Sequence, residues 1–102
     1  MFLIRNVFHV KPGNARDFIE KFKNAAPHLK AAGLVKSTRI LTDSVSDFWT
    51  VVIESEVEDL SAYLNMAKSI HATKEVSDAL KGYVEMVNSG YREVFLIEHS
   101  NL

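Results

Sequence analysis

The chain has 102 residues, a net charge of −1 with its histidines neutral, and no cysteine. Disulfides, thiolate metal sites and a cysteine nucleophile are therefore excluded. The near-zero charge, with no basic run, argues against nucleic-acid partners and anionic membranes. No apolar run approaches the roughly 20 residues of a membrane span, and the N-terminus lacks a signal-peptide pattern. We expect one cytoplasmic domain over residues 1–102.

The first part of the chain predicts a strand, a helix and a second strand. Residues 2–10 alternate as a strand, with Asn6 on the same face as four apolar residues. Asn14 is a good N-cap for the helix that follows. Pro27 should kink or end that helix, because its ring blocks the preceding turn. Residues 35–41 then predict the second strand.

The second part of the chain repeats this order. After a turn-rich connection, residues 48–56 predict a strand of high β-propensity. Asp59 can cap a second helix, whose pattern weakens at 69–73 and resumes as far as Val87. Residues 91–98 alternate as a last strand.

Strand–helix–strand twice over predicts an α+β fold, a ferredoxin-like β-α-β-β-α-β domain. Its four-stranded antiparallel sheet would carry both helices on one face and leave the other face open and apolar. Because an apolar patch of several hundred Å² is unusual on a soluble monomer, we expect a homodimer through the open face. The residues predicted to line that face are Leu3, Val7, Trp49, Val51, Ile53, Val94 and Leu96.

Charged residues on and near the sheet admit simple interpretations. Arg5 and Arg39 can project from the open face, where they either pair with acids across a dimer or lay their stems along the sheet. The acidic run that begins at Glu54 reads as a solvated strand–helix junction, placed favourably near a helix N-terminus.

Two polar residues are candidates for chemistry. Asn6 lies on the apolar, helix-facing side of the first strand, where it is either a hydrogen-bonded core amide or a polar group aimed into a ligand cavity. His71 lies where the second helix pattern weakens. It is either a surface or capping residue, or a general base or iron ligand. The other histidines show no metal-ligand spacing, so no metal site is predicted.

Aromatic side chains are candidates for substrate binding. Phe8, Phe22 and Tyr63 fall on the apolar sides of their elements, as Tyr83 also does. They either pack the core or line a cavity for a flat aromatic ligand.

The chain opens with a strand that is followed by Lys11-Pro12-Gly13-Asn14-Ala15-Arg16-Asp17-Phe18. This beginning resembles that of proteins in the dimeric α+β barrel superfamily, which includes antibiotic-biosynthesis monooxygenases and NIPSNAP-like proteins. The resemblance implies a homodimeric barrel of two face-to-face sheets, with any ligand cavity between the sheet and helices of one subunit. Members of the superfamily that have oxygenase activity act on polycyclic aromatic compounds without metal or flavin, so the resemblance also implies this chemistry. A haem-degrading branch of the superfamily uses an Asn on the first strand, and a Trp and a His on the second helix. In this chain, Asn6 resembles that Asn, Tyr63 stands where the branch has its Trp, and His71 lies near the position of the His.

Two functions are therefore predicted as alternatives, and neither needs a cofactor. In the first, a small aromatic or polycyclic substrate is held by the aromatic side chains, and Asn6 and His71 supply catalytic polar contacts for monooxygenase-like chemistry. In the second, the chain is a non-catalytic dimeric binding or stress-related module with a small cavity or none.

Overall fold

A computed structural model describes residues 1–69 and 73–101. Its four strands form one antiparallel sheet in the order β2-β3-β1-β4. The α+β ferredoxin-like fold predicted from the sequence is confirmed. In chain order the elements are β1 (Phe2–Val10), α1 (Ala15–Ala31), β2 (Ser37–Thr42), β3 (Thr50–Val57), α2 (Leu60–Ser69), α3 (Lys74–Leu80), a short 3-10 helix (Val84–Met86) and β4 (Val87–Leu96).

The helices close one face of the sheet through two apolar clusters. Ile4 and Tyr63 belong to the first cluster, onto which α2 packs. Val10, Phe18 and Val51 form the centre of the second, beneath α1. The fully buried side chains come from β1, β3, α1 and α3, so the core lies between the sheet and the helices.

The prediction for the open face is wrong in β3. Val51 pairs with Phe8, and Ile53 pairs with Asn6, so both lie on the helix-facing side. Their side chains are buried there, with exposed fractions of 0% and 5%. A strand's local alternation shows which residues share a face but not which face is which, and a one-residue offset exchanges the two sets.

The same error affects β4 and the loop before β3. Val94 pairs with Ile4 and Leu96 with Phe2, so both belong to the helix-facing set. Trp49 is not part of β3: it lies in the loop before it, with a left-handed φ of 62° and half-exposed. Leu3 and Val7 do lie on the open face. By register, their apolar neighbours on that face are Leu41, Val52, Tyr91 and Phe95.

Helix α1 begins directly after its predicted N-cap residue, Asn14, and runs through Pro27. The Asn14 side chain makes no capping hydrogen bond. Pro27 does not end the helix, which continues to Ala31. The burial of Ala25 before the proline and the packing of Leu29 after it hold both sides against the sheet, which offsets the lost backbone hydrogen bond.

The segment before β4 is shorter in helix than predicted. Helix α3 ends at Leu80, and Gly82 then takes a left-handed φ of 84°, which glycine adopts without steric cost. β4 begins at Val87, where the predicted helix was to end, and pairs with the whole length of β1. The apolar spacing of this segment arises because Tyr83 and Val87 contact the core from positions outside the α-helices.

Candidate functional site

A small cavity lies between β1, β4 and the helices, at about 80 Å³. Its aromatic wall comes from β1, α1, α2 and the segment after α3, and its polar wall comes from β1 and β4. Aliphatic side chains of α1, α2 and α3 complete the lining. The aromatic and polar lining residues are Phe8, Phe22, Tyr63, Tyr83, Asn6 and Arg92.

The aromatic wall is a packed cluster rather than a set of isolated rings. The Phe8 ring lies 5.0 Å from that of Phe18 and 5.7 Å from that of Phe22, centroid to centroid. The Tyr83 ring meets Phe22 edge to face at 5.5 Å. Edge-to-face pairs at such distances are favourable arrangements of aromatic rings. The cavity is therefore bounded on this side by close-packed aromatic rings.

The polar wall is a chain of three side chains from β4, β1 and α2. Arg92 Nε donates a hydrogen bond of 2.6 Å to Asn6 Oδ1, and Asn6 Nδ2 donates one of 3.0 Å to Tyr63 Oη. The Arg92 guanidinium carbon lies 5.8 Å from the centroid of the Tyr63 ring, within cation–π range. This chain places a cation, an amide and a phenol hydroxyl at one edge of an aromatic cavity.

The local fold explains why these groups meet. Asn6 and Arg92 are direct neighbours in the β1–β4 register, on the helix-facing side. Tyr63 is buried in the first turn of α2, which crosses this part of the sheet. Arg92 lines the cavity but is exposed, because β4 is an edge strand of the sheet. It therefore lies at the cavity mouth.

The structure brings four of the five residues predicted for the site around this one cavity. They are Asn6, Phe8, Phe22 and Tyr63. Asn6 is bonded to two side chains, which satisfies its amide and also places it on the cavity wall. The fifth residue, His71, lies outside the described residues.

Arg92 is a charged residue of the cavity lining that the sequence pattern did not predict for the site. The assumed faces of β4 put Val94 on the open side, and Arg92 two residues earlier would have gone with it. The available signal was that Arg92 shares one face of β4 with Val94 and Leu96, as Asn6 shares one face of β1 with apolar residues. A polar residue in β4 opposite Asn6 would offer the partner that a buried amide requires.

The open face of the sheet carries a second polar group of residues, which crosses all four strands. Glu54, 8% exposed, accepts hydrogen bonds from Arg5 at 2.9 Å and from Arg39 at 2.5 Å. Arg5 also donates to Glu93 at 2.8 Å. The hydrogen bond to Glu54 raises the pKa of Arg5, although burial opposes this. Glu54 thus lies within the sheet rather than in a solvated junction, and both arginines pair with it inside one chain.

Two further features of the described residues bear on cofactors and membranes. Within residues 1–69 and 73–101, no three side chains of His, Asp or Glu come together where they would hold a metal ion. None of the helices in that part of the chain combines the length and the apolar character required to cross a membrane.

Comparison with known proteins shows which fold this is. A candidate antibiotic biosynthesis monooxygenase from Nitrosomonas europaea superposes with a TM-score of 0.75 at 11% identity, over 97% of this chain and 100% of that one. An uncharacterised NIPSNAP domain protein from Burkholderia xenovorans gives 0.70 at 10%, over 99% and 100%. Another candidate antibiotic biosynthesis monooxygenase, from Chloroflexus aurantiacus, gives 0.68 at 16%, over 97% and 96%. The chain has the fold of these proteins.

The comparisons confirm at the level of fold the resemblance carried by residues 11–18. No protein-family model matches the chain, and no curated protein matches it in sequence. At identities of 10–16% the similarity establishes the arrangement of strands and helices. The activity has to be argued from the cavity itself.

Proposed function

We propose that this protein is a homodimer in which each subunit binds a small aromatic compound in the cavity between sheet and helices. The observation that carries the proposal is the chain Arg92–Asn6–Tyr63 at the edge of an aromatic cavity. Pockets for small molecules are mostly apolar, with a few convergent polar groups that orient the ligand. Both elements are present beside Asn6.

The volume argues for one ring. An engineered cavity of about 150 Å³ takes benzene, so about 80 Å³ accepts a single ring only after small side-chain movements. A polycyclic compound would have to displace the aromatic wall. Met66 lines the cavity, and methionine side chains adapt readily to a new occupant. A single-ring ligand is therefore the form of the predicted aromatic ligand that this cavity favours.

The polar wall favours an oxygen substituent that carries negative charge. Tyr63 Oη accepts from Asn6, so its own proton is available to another acceptor. Arg92 uses one of its five N–H groups on Asn6 and keeps its positive charge at the cavity mouth. A phenolate or carboxylate oxygen beside the ring would accept from both groups, with charge-assisted strength at Arg92.

Dimerisation through the open face is part of the proposal. The face exposes Tyr91 by 55% and Phe95 by 48%, and the edge residue Leu41 by 37%. These side chains adjoin the less exposed Val7 and Val52 in the register of the sheet. Covering this surface with a second copy would remove apolar area from water.

The binding test uses benzoate, phenol and cyclohexanecarboxylate as probes, with amide chemical shifts as the measurement. Benzoate and phenol should shift resonances of cavity residues, and cyclohexanecarboxylate should do so less. Arg92→Gln should weaken benzoate binding on the order of tenfold, the value of one lost charge-assisted contact. Arg16→Gln, an exposed arginine at the start of α1, is the matched control. No shift with any probe at millimolar concentration would contradict the proposal.

Cofactor-independent oxygenation is the second candidate function, and Arg92 is the observation that favours it. A cation at the ring's oxygen stabilises the phenolate, the electron-rich form that reacts with dioxygen, and the substrate itself must supply the electrons. Asn6 would orient the substrate, and His71 keeps its predicted catalytic role. Oxygen consumption with hydroquinone, above the buffer rate and lost in Asn6→Ala, would support this. Oxygen consumption at the buffer rate, with ligand binding intact, would instead favour the non-catalytic binding module.

A further inference from the structure

The row of charges across the open face has an order that bears on how two copies meet. Direct Cα partners place Arg39 (β2), Glu54 (β3), Arg5 (β1) and Glu93 (β4) side by side. The signs alternate as plus, minus, plus, minus. Read from the other edge, the same row is minus, plus, minus, plus. A reversed copy of the row therefore places a charge of opposite sign against each charge of the original.

We propose that this row sets the orientation of the dimer by pairing Arg39 of one subunit with Glu93 of the partner subunit. The proposal rests on the proposed dimer and assigns its two-fold axis. An axis that runs along the strands, between β3 and β1, reverses the row and sets every charge opposite its counter-charge. An axis that runs along the row sets every charge opposite its own copy, which costs several kcal/mol for like charges.

The neighbouring row supports the same axis. Leu41, Val52, Val7 and Tyr91 form an apolar row directly beside the charges. Under the strand-parallel axis this row meets itself reversed, so that apolar side chains pack only on apolar ones. Under the other axis it meets the row that contains Glu56, and a carboxylate would face apolar surface.

The outer charges of the row retain capacity for a second partner. The Arg39 side chain is 71% exposed and is bonded to Glu54 through one nitrogen, which leaves the rest of its guanidinium fork. The Glu93 side chain is 38% exposed, and one of its oxygens is engaged by Arg5. The inner pair, Arg5 and Glu54, is more buried and already bonded at both groups. The edge residues are therefore where an intersubunit pair would form.

Mixing two charge-reversed variants tests the pairing between subunits. Arg39→Glu alone and Glu93→Arg alone each create two like-charge contacts in their homodimers, and each should weaken dimerisation on the order of tenfold. In the mixed dimer, the two substituted side chains face each other with opposite charges at one contact, and the native pair forms at the other. Native mass spectrometry of an equimolar mixture should therefore show the heterodimer as clearly more than the half of all dimers that random association gives.

A matched control separates this effect from general charge changes. Lys36 and Glu58 form an ion pair of 2.9 Å outside the row, with both side chains more than half exposed. Lys36→Glu and Glu58→Lys should leave the dimer constant unchanged and give a statistical mixture. A statistical mixture from the row variants as well would overturn the proposal.

Cysteine variants test the geometry without reversing a charge, because the natural chain has no cysteine. Residues 39 and 93 lie on opposite edges of one sheet, three strand spacings of about 4.8 Å apart, so they cannot form a disulfide within a subunit. Arg39→Cys with Glu93→Cys in one chain should give a disulfide dimer on oxidation. Rapid disulfide formation by Arg39→Cys alone would indicate the other axis and overturn the proposal. A monomeric wild type would instead overturn the proposed dimer.

Discussion

The two faces of the sheet are made from alternate residues of the same four strands, yet they differ in how their polar groups are satisfied. On the helix-facing side, Asn6 accepts a hydrogen bond from Arg92 of the neighbouring strand and donates one to Tyr63 of α2. On the open side, the charges of a whole row bond laterally within the sheet. On a face covered by helices, a polar side chain of the sheet can therefore also hydrogen-bond to a residue of the helical layer. An open face has only its neighbouring strands.

The difference has a functional meaning. Lateral ion pairs satisfy the charges of the open face within the sheet and give the row alternating signs, which suits contact with another sheet. In the Arg92–Asn6–Tyr63 chain, the Tyr63 hydroxyl acts as an acceptor and Arg92 uses its Nε, so the hydroxyl proton and the other guanidinium N–H groups can serve other acceptors. That suits a small ligand. The following predictions test this contrast, beginning with the largest effect.

Truncating one aromatic side chain on each face should separate the closed core from the open surface. Phe18→Ala removes a fully buried ring and should lower the free energy of unfolding by about 3–5 kcal/mol. Phe95→Ala removes a half-exposed ring from the open face, and its cost should rise with protein concentration because the ring would be covered in the dimer. Urea unfolding at two protein concentrations measures both effects. Equal, concentration-independent losses would refute the contrast.

Removing the shared anion of the charge row should come next in size. Glu54→Gln keeps the shape but removes the carboxylate that Arg39 and Arg5 share, although Arg5 keeps its bond to Glu93, and we expect a loss of about 1–2 kcal/mol in unfolding free energy. The figure is moderate because the Arg39 side chain is mostly exposed. Glu56→Gln on the same face of β3 is the control and should change stability little, since the hydrogen bond from Ser37 to the Glu56 carboxylate is 3.5 Å long.

Breaking the polar chain on the closed side should cost about 1 kcal/mol. Asn6→Ala leaves the buried Tyr63 hydroxyl without its donor, and Tyr63→Phe removes the same contact from the other side. A double-mutant cycle of the two substitutions should give a coupling of similar size. Additive losses in the cycle would show that the hydrogen bond contributes nothing to stability.

The smallest effect should come from an exposed ion pair outside both faces. The hydrogen bond from Lys36 lowers the pKa of Glu58 below its ordinary value of 4.5. Because the folded-state pKa is the lower one, the pair stabilises the fold above pH 4.5 and loses this contribution as the pH falls through the folded-state pKa. Wild type and Glu58→Gln should therefore differ slightly in unfolding free energy at neutral pH and converge in acid. A gap that widens in acid would reverse the assigned sign.

Much of the candidate site could be anticipated because β1 and α1 carry clear patterns. The alternation of residues 2–10 placed Asn6 and Phe8 on the helix-facing side, and helical spacing placed Phe22 with them. Arg92 could not be placed in the same way. Its side depends on the register between β1 and β4, and the early start of β4 depends on the left-handed turn at Gly82.

By itself, the sequence determined the order of the elements, the extent of β1 and the ferredoxin-like arrangement, since hydrophobic periodicity and turn residues are local properties. Only the tertiary structure decided which face Val51, Ile53, Val94 and Leu96 occupy, because that choice is made by pairing with β1 and by the helices that cover one side. The same pairing aligned four charges from four strands into one row. The sequence of each strand determines where its charge stands along that strand. The pairing between strands determines that the four charges align.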